Sequence, residues 1–126
     1  MPVIQVNTVE EFDNYLTNHD SGKKFVVVDF SATWCGPCKK FYPDYVIMSD
    51  DSKYASILFL KVDVEELPEI TDRYQISAMP TFMFFEIPNL ESEWQPLIGT
   101  NRKVLEEKLS NMINPISSNI MITDDF

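Results

Sequence analysis

The sequence predicts an α/β domain in which helices cover a central sheet, and three observations predict it. Short runs rich in β-branched and aromatic residues alternate with stretches of helical period along the chain. One run, Phe25-Val26-Val27-Val28-Asp29-Phe30, is apolar on both faces, as a strand covered on both sides must be. At 126 residues and 44% hydrophobic, the chain suits one globular domain.

Val3 to Val6 reads as the first strand. Thr8-Val9-Glu10-Glu11 offers a capping box, a hydroxyl followed three residues on by a carboxylate, and Phe12, Tyr15 and Leu16 share one helical face. That helix is expected to end near His19 to Gly22. The apolar run from Phe25 to Phe30 is the central strand. After it, Cys38, Phe41, Tyr45 and Met48 recur at helical spacing, with Pro43 expected to kink the helix by removing a donor. Ile57 to Val64 is the third strand. Glu65 to Tyr74 reads as a short acidic helix interrupted by Pro68, and Ile76 to Pro80 as a loop. Thr81-Phe82-Met83-Phe84-Phe85 and Trp94-Gln95-Pro96-Leu97-Ile98 are two strands, joined as a hairpin through the turn-rich Ile87-Pro88-Asn89-Leu90. Leu105, Leu109, Met112, Ile113 and Ile116 mark the buried stripe of a last helix. Residues 1–113 thus form the domain, and 114–126 are expected to be a mobile C-terminal tail.

Charge and composition remove several functions. A net charge of −10 repels phosphate backbones and anionic lipid, so neither nucleic acid nor a membrane surface is an expected partner. No run approaches the ~18 apolar residues of a membrane span. The N-terminus shows no signal-peptide pattern, and a cytoplasmic protein is expected.

The two cysteines sit in Trp34-Cys35-Gly36-Pro37-Cys38-Lys39, where the central strand gives way to a helix. A bridge across two residues constrains almost nothing in the unfolded chain, so the pair is there for reactivity rather than stability. A thiolate, not a thiol, attacks a disulfide. Cys35 lies at the N-terminus of the coming helix, where unpaired amides and the positive dipole end favour an anion. Cys38, one turn inside, is expected to be more buried and less acidic. Cys35 is therefore the expected attacker of a partner's disulfide, and Cys38 the group that resolves the mixed disulfide. Pro37 suits the first helical turn, and Gly36 leaves room for an approaching backbone. Trp34 is either a core aromatic or a flat contact surface beside the thiol, the latter being favoured. Two cysteines could also be half of a zinc site, but His19 is the only histidine and lies far from the turn, so no metal is expected.

Val28-Asp29-Phe30-Ser31-Ala32-Thr33-Trp34-Cys35-Gly36-Pro37-Cys38-Lys39 resembles the active-site segment of the thioredoxin family, in particular its eukaryotic cytosolic members. Met79-Pro80-Thr81 resembles the family's cis-proline loop, Val62-Asp63-Val64 the end of its third strand, and Gly99 the glycine closing its last strand. The resemblance implies the thioredoxin fold, a central mixed sheet of five strands flanked by four helices. It implies a general protein disulfide reductase that binds no cofactor and draws electrons from NADPH through a flavoprotein thioredoxin reductase. Peroxiredoxin-like and reductase-like proteins are the implied clients. It also assigns Asp29 as the buried acid that takes the proton of Cys38, and Lys61 as a residue tuning it. Met79 and a cis Pro80 then form the client-binding edge, with Gly99 beside them.

Two departures from the family stand out. The connection between Pro80 and Gly99 is a few residues longer than usual, and the tail is extra. With no further cysteine, a monomer is expected. A disulfide isomerase or oxidase on the same fold is disfavoured by Gly36-Pro37, and a purely structural binding module by the cysteine pair with Asp29 and Pro80.

Overall fold

The computed structural model describes residues 3–115. In chain order the elements are β1 (Val3–Gln5), α1 (Val9–Thr17), β2 (Phe25–Ser31), α2 (Gly36–Ser49), β3 (Ile57–Asp63), α3 (Pro68–Arg73), β4 (Thr81–Glu86), β5 (Leu97–Ile98) and α4 (Arg102–Ile113). The five strands form one sheet in the order β1-β3-β2-β4-β5. β1, β3 and β2 run parallel, while β4 is antiparallel to both β2 and β5.

The alternation of side chains along β2 explains the layers. Val26, Val28 and Phe30 join Phe12 and Leu16 of α1 and Ile70 of α3 on one face. Val27 joins Phe41, Tyr45 and Met48 of α2 and Leu105, Leu109 and Met112 of α4 on the other. Asp29, two residues from Val27, points to that second face. On it Tyr45 stacks edgewise on Phe59 at 5.3 Å between ring centroids, and Phe41 on Phe82 at 5.6 Å. The Tyr45 hydroxyl is shared between the carbonyls of Leu60 at 2.8 Å and Val27 at 3.2 Å, so its burial leaves no orphaned donor.

Local rules place the helix ends. Thr8 accepts from the Glu11 amide at 3.0 Å, and the Glu11 carboxylate reaches back to the Asn7 amide at 2.6 Å, one residue earlier than a standard capping box. α1 stops at Thr17, and a separate 3-10 turn follows at His19–Ser21. Pro68 begins α3 instead of interrupting a longer helix from Glu65. A proline in the first turn loses no helical bond, whereas the Glu65 and Glu66 amides are taken by the Asp63 carboxylate at 2.8 and 3.3 Å.

The last hairpin also differs from expectation. Only Leu97–Ile98 pairs with β4, because Pro96 has no amide to donate and Trp94 packs edgewise on Phe25 at 6.3 Å instead of joining the ladder. The long connection folds back on the domain: the Asn89 amide donates to Leu16 O at 3.1 Å and the Tyr74 hydroxyl to Leu90 O at 2.6 Å. Since Glu86 pairs with Phe25, this connection closes the end of the sheet opposite the cysteines. Ile116, and all of the predicted tail beyond Pro115, lie outside the described residues.

Candidate active site

Cys35 is the N-cap of α2, as the sequence predicts, and its Sγ accepts from the Cys38 amide at 3.2 Å. The two cysteines are joined as a disulfide, with their Cα atoms 5.3 Å apart. Cys38 is not the more buried of the two: the residues are 5% and 6% exposed, Cys35 first. One helical turn separates them, and both pack at the edge of the same apolar cluster, so depth does not distinguish them. Their surroundings do. Cys35 follows Trp34, which is 63% exposed and so offers a contact surface, and its Sγ lies 3.8 Å from the Met79 carbonyl oxygen. Cys38 lines an open cleft of about 520 Å³ with Gln5, Thr33, Lys39, Lys61 and Asp63 among its walls.

The Met79-Pro80 bond is cis and Pro80 is buried. Its carbonyl accepts from the Gly99 amide at 2.9 Å, which ties the end of β5 to the loop facing the cysteines. Gly99 holds φ at 108°, a conformation that residues with a Cβ rarely adopt. An added Cβ would meet no atom within 4 Å at either Gly99 or Gly36, but Gly36 has ordinary backbone and an exposed position, so the two differ in conformation and not in space. Gly99→Ala should therefore lower stability by about 1–3 kcal/mol in urea unfolding, while Gly36→Ala changes it by less than about 1 kcal/mol. Equal losses in the two variants would show that the φ of Gly99 carries no structural cost.

Asp29 is 3% exposed and interrupts an otherwise apolar strand. Its Oδ1 has no protein hydrogen-bond partner among the described residues. Burial raises its carboxyl to about 7, against a smaller opposing pull from Lys61. The register of β2 and β3 sets Asp29 directly beside Lys61. Lys61 is half-buried and its Nζ lies 4.4 Å from the centroid of the Tyr42 ring. The residues assigned from the sequence thus fall on the cysteine turn, on the strands beneath it and on the loop opposite, except Gly99, which lies just past β5 and is tied to that loop. Tyr42 and the capping role of Asp63 were missed. Tyr42 had a weak signal, one helical turn beyond Cys38, but its contact with Lys61 is tertiary.

A disulfide at a helix N-cap, with a buried acid on the strand that leads to it and a cis-proline loop facing it, is the arrangement of a thiol–disulfide oxidoreductase. The family model named Thioredoxin matches residues 3–113. A sheep thioredoxin (Ovis aries) is 38% identical over 111 residues, covering 88% of this chain and 99% of its own length. Thioredoxin H9 of Arabidopsis thaliana is 37% identical over 111 residues, covering 88% of this chain and 76% of itself. The crystal structure of a poplar thioredoxin h superposes with a TM-score of 0.80 at 33% identity, covering 90% of this chain and 98% of that one. The chain belongs to the thioredoxin family, has its fold and is a protein disulfide reductase. The family in general reduces disulfide substrates and is re-reduced by thioredoxin reductase. No cluster of three or more potential metal-ligating side chains occurs among the described residues, and no helix there is long and apolar enough to cross a membrane.

Proposed function

We propose that the protein is a monomeric, cytoplasmic electron carrier in which Cys35 attacks and Cys38 resolves. In the reduced protein the Cys35 thiolate, favoured by the free amides at the start of α2, attacks one sulfur of a client disulfide. The client's S–S bond breaks, a Cys35–client bond forms, and the other client sulfur leaves as a thiolate. Asp29 then takes the proton of the Cys38 thiol, through water in the cleft that Cys38 and Lys61 line. Cys38 attacks the Cys35 sulfur, the second client thiolate departs, and two electrons have passed to the client.

The Met79 backbone pairs with an extended client segment, Trp34 covers it, and Gly36 and Pro37 leave its approach open. Gly99 holds the facing loop in place, and Lys61 tunes Asp29. The oxidised pair is recharged from NADPH through a thioredoxin reductase, and peroxiredoxin-like and reductase-like proteins are clients. No cofactor binds to the chain. The single observation that carries this reading is the disulfide-competent pair at the N-cap of α2, facing the Met79 carbonyl.

Equilibrating the pair against defined redox buffers tests it. A potential of about −270 mV, which is the thioredoxin family's own reference value and not a consequence of this geometry, marks a reductant. A value near −180 mV or above would assign the pair to isomerase or oxidase work.

A further inference from the structure

Asp29, Lys61 and Tyr42, the last of which has no part in the reaction scheme, meet on one face of the sheet. Asp29 lies two residues from Val27, and Lys61 two from Phe59, so both point toward α2 and α4. Tyr42, on α2, packs against that same cluster and takes the Lys61 ammonium over its ring. The lysine has other places to go. Asp63 and Glu66 line the same cleft as Lys61, and Lys39 is there to repel it. A flexible four-carbon stem released from the ring would carry its charge toward those carboxylates and into water.

We propose that Tyr42 is a positioning residue of the redox site: its ring holds the Lys61 ammonium beside Asp29 and away from the acids of the cleft, so that Tyr42 governs, through Lys61, the pH at which Asp29 accepts a proton. The catalytic consequence rests on Asp29 being the base for Cys38, whereas the charge placement does not.

The other groups facing Asp29 do not supply this control. From α2, Tyr45 spends its hydroxyl on two backbone carbonyls and is held well above its ordinary range by burial, so it stays neutral. Tyr42 is raised as well, by burial and then by the charge of Asp29, and it too stays neutral. Cys35 and Cys38 carry no charge in the disulfide. From β4, the register neighbour is Phe82. Lys61 is the cation that acts on Asp29, and it favours the carboxylate against burial. Freeing it removes that help and moves the titration upward. If Tyr42 served only to keep water out, its removal would hydrate Asp29 and move the titration downward, so the sign separates the two roles.

The test is a pH titration of the Asp29 side-chain carboxyl carbon by NMR in the oxidised full chain. Tyr42→Leu is expected to raise the midpoint by about 0.5–1 pH unit, and Tyr42→Phe, which keeps the ring, to leave it within about 0.2. In a Lys61→Gln background, Tyr42→Leu should add nothing. The proposal is overturned if Tyr42→Leu leaves the midpoint in place or lowers it, if Tyr42→Phe shifts it as far, or if the shift persists without Lys61. The pH profile for resolving a client adduct, measured in parallel, should move with the NMR midpoint. If the midpoint moves and the profile does not, the charge placement stands and Asp29 is not the base.

Discussion

Cys38→Ser, mixed with an oxidised client protein, is expected to accumulate a covalent adduct that dithiothreitol releases, whereas Cys35→Ser accumulates almost none. The reason is the position of the sulfurs and not their depth, since the two residues are buried to nearly the same degree. Cys35 precedes the first turn of α2, beside an exposed Trp34 and against the Met79 carbonyl, so an incoming disulfide meets it first. Cys38 is within bonding reach of Cys35 once the adduct exists, with the Cα atoms 5.3 Å apart. An attacker already held in that geometry acts at an effective concentration far above that of any external thiol, commonly ~10⁵ M or more. Removing it should lengthen the life of the adduct at least about a thousand-fold in dilute thiol. The measurement is non-reducing gel electrophoresis or intact mass against time. Equal trapping by both variants would falsify the assignment of attacker and resolver.

What the sequence revealed and what it hid divide along physical lines. β2 was legible because the six residues Phe25 to Phe30 are β-branched or aromatic at every position but Asp29, which leaves few alternatives to a covered strand and made Asp29 conspicuous. The start of α2 was legible because the cysteine turn, Gly36 and Pro37 together define a helix N-terminus. Pro68 was ambiguous: a proline ends one helix or begins another, and only the use of the Glu65 and Glu66 amides by Asp63 decides for the second. Trp94 and Leu97 look alike in a hydrophobic pattern, yet one packs on Phe25 and the other enters the ladder. The relative burial of Cys35 and Cys38 was misjudged because helix position fixes direction, not the depth of the surrounding cluster. Lys61 was assigned as a tuning residue through the family resemblance alone. Its register with Asp29 and its seat on Tyr42 join β2, β3 and α2, a relation that no local pattern encodes. The lengthened connection after β4 was visible only as extra length, and its hydrogen bonds to Leu16 and from Tyr74 make it a cover for the far end of the sheet.

Asp29→Asn is expected to make the oxidised protein more stable in alkaline solution and, at the same time, a poorer reductase near neutral pH. Burial raises the carboxyl from 3.8 to about 7 in the folded chain. Below pH 4 it is protonated in both states and costs nothing. Between about pH 4 and 7 the unfolded chain gives up this proton while the folded chain keeps it, so stability falls as pH rises, and above about 7 the loss is complete. A shift of that size corresponds to about 4 kcal/mol at full development, as an upper figure for replacement by an uncharged isostere. Urea unfolding of both proteins at about pH 4 and 9 should therefore show the variant gaining on the wild type by about 2–4 kcal/mol across that interval. A constant difference would mean that Asp29 is not held protonated by burial. If Asp29 takes the Cys38 proton as proposed, the same substitution removes that acceptor, and resolution of a client adduct should slow by roughly 10²-fold at most and lose its inflection near neutrality. Resolution rates unchanged over about pH 6 to 9 would leave Asp29 as a structural carboxyl only. Stability and rate thus move in opposite directions, as expected where a fold retains a costly buried acid for its chemistry rather than its packing.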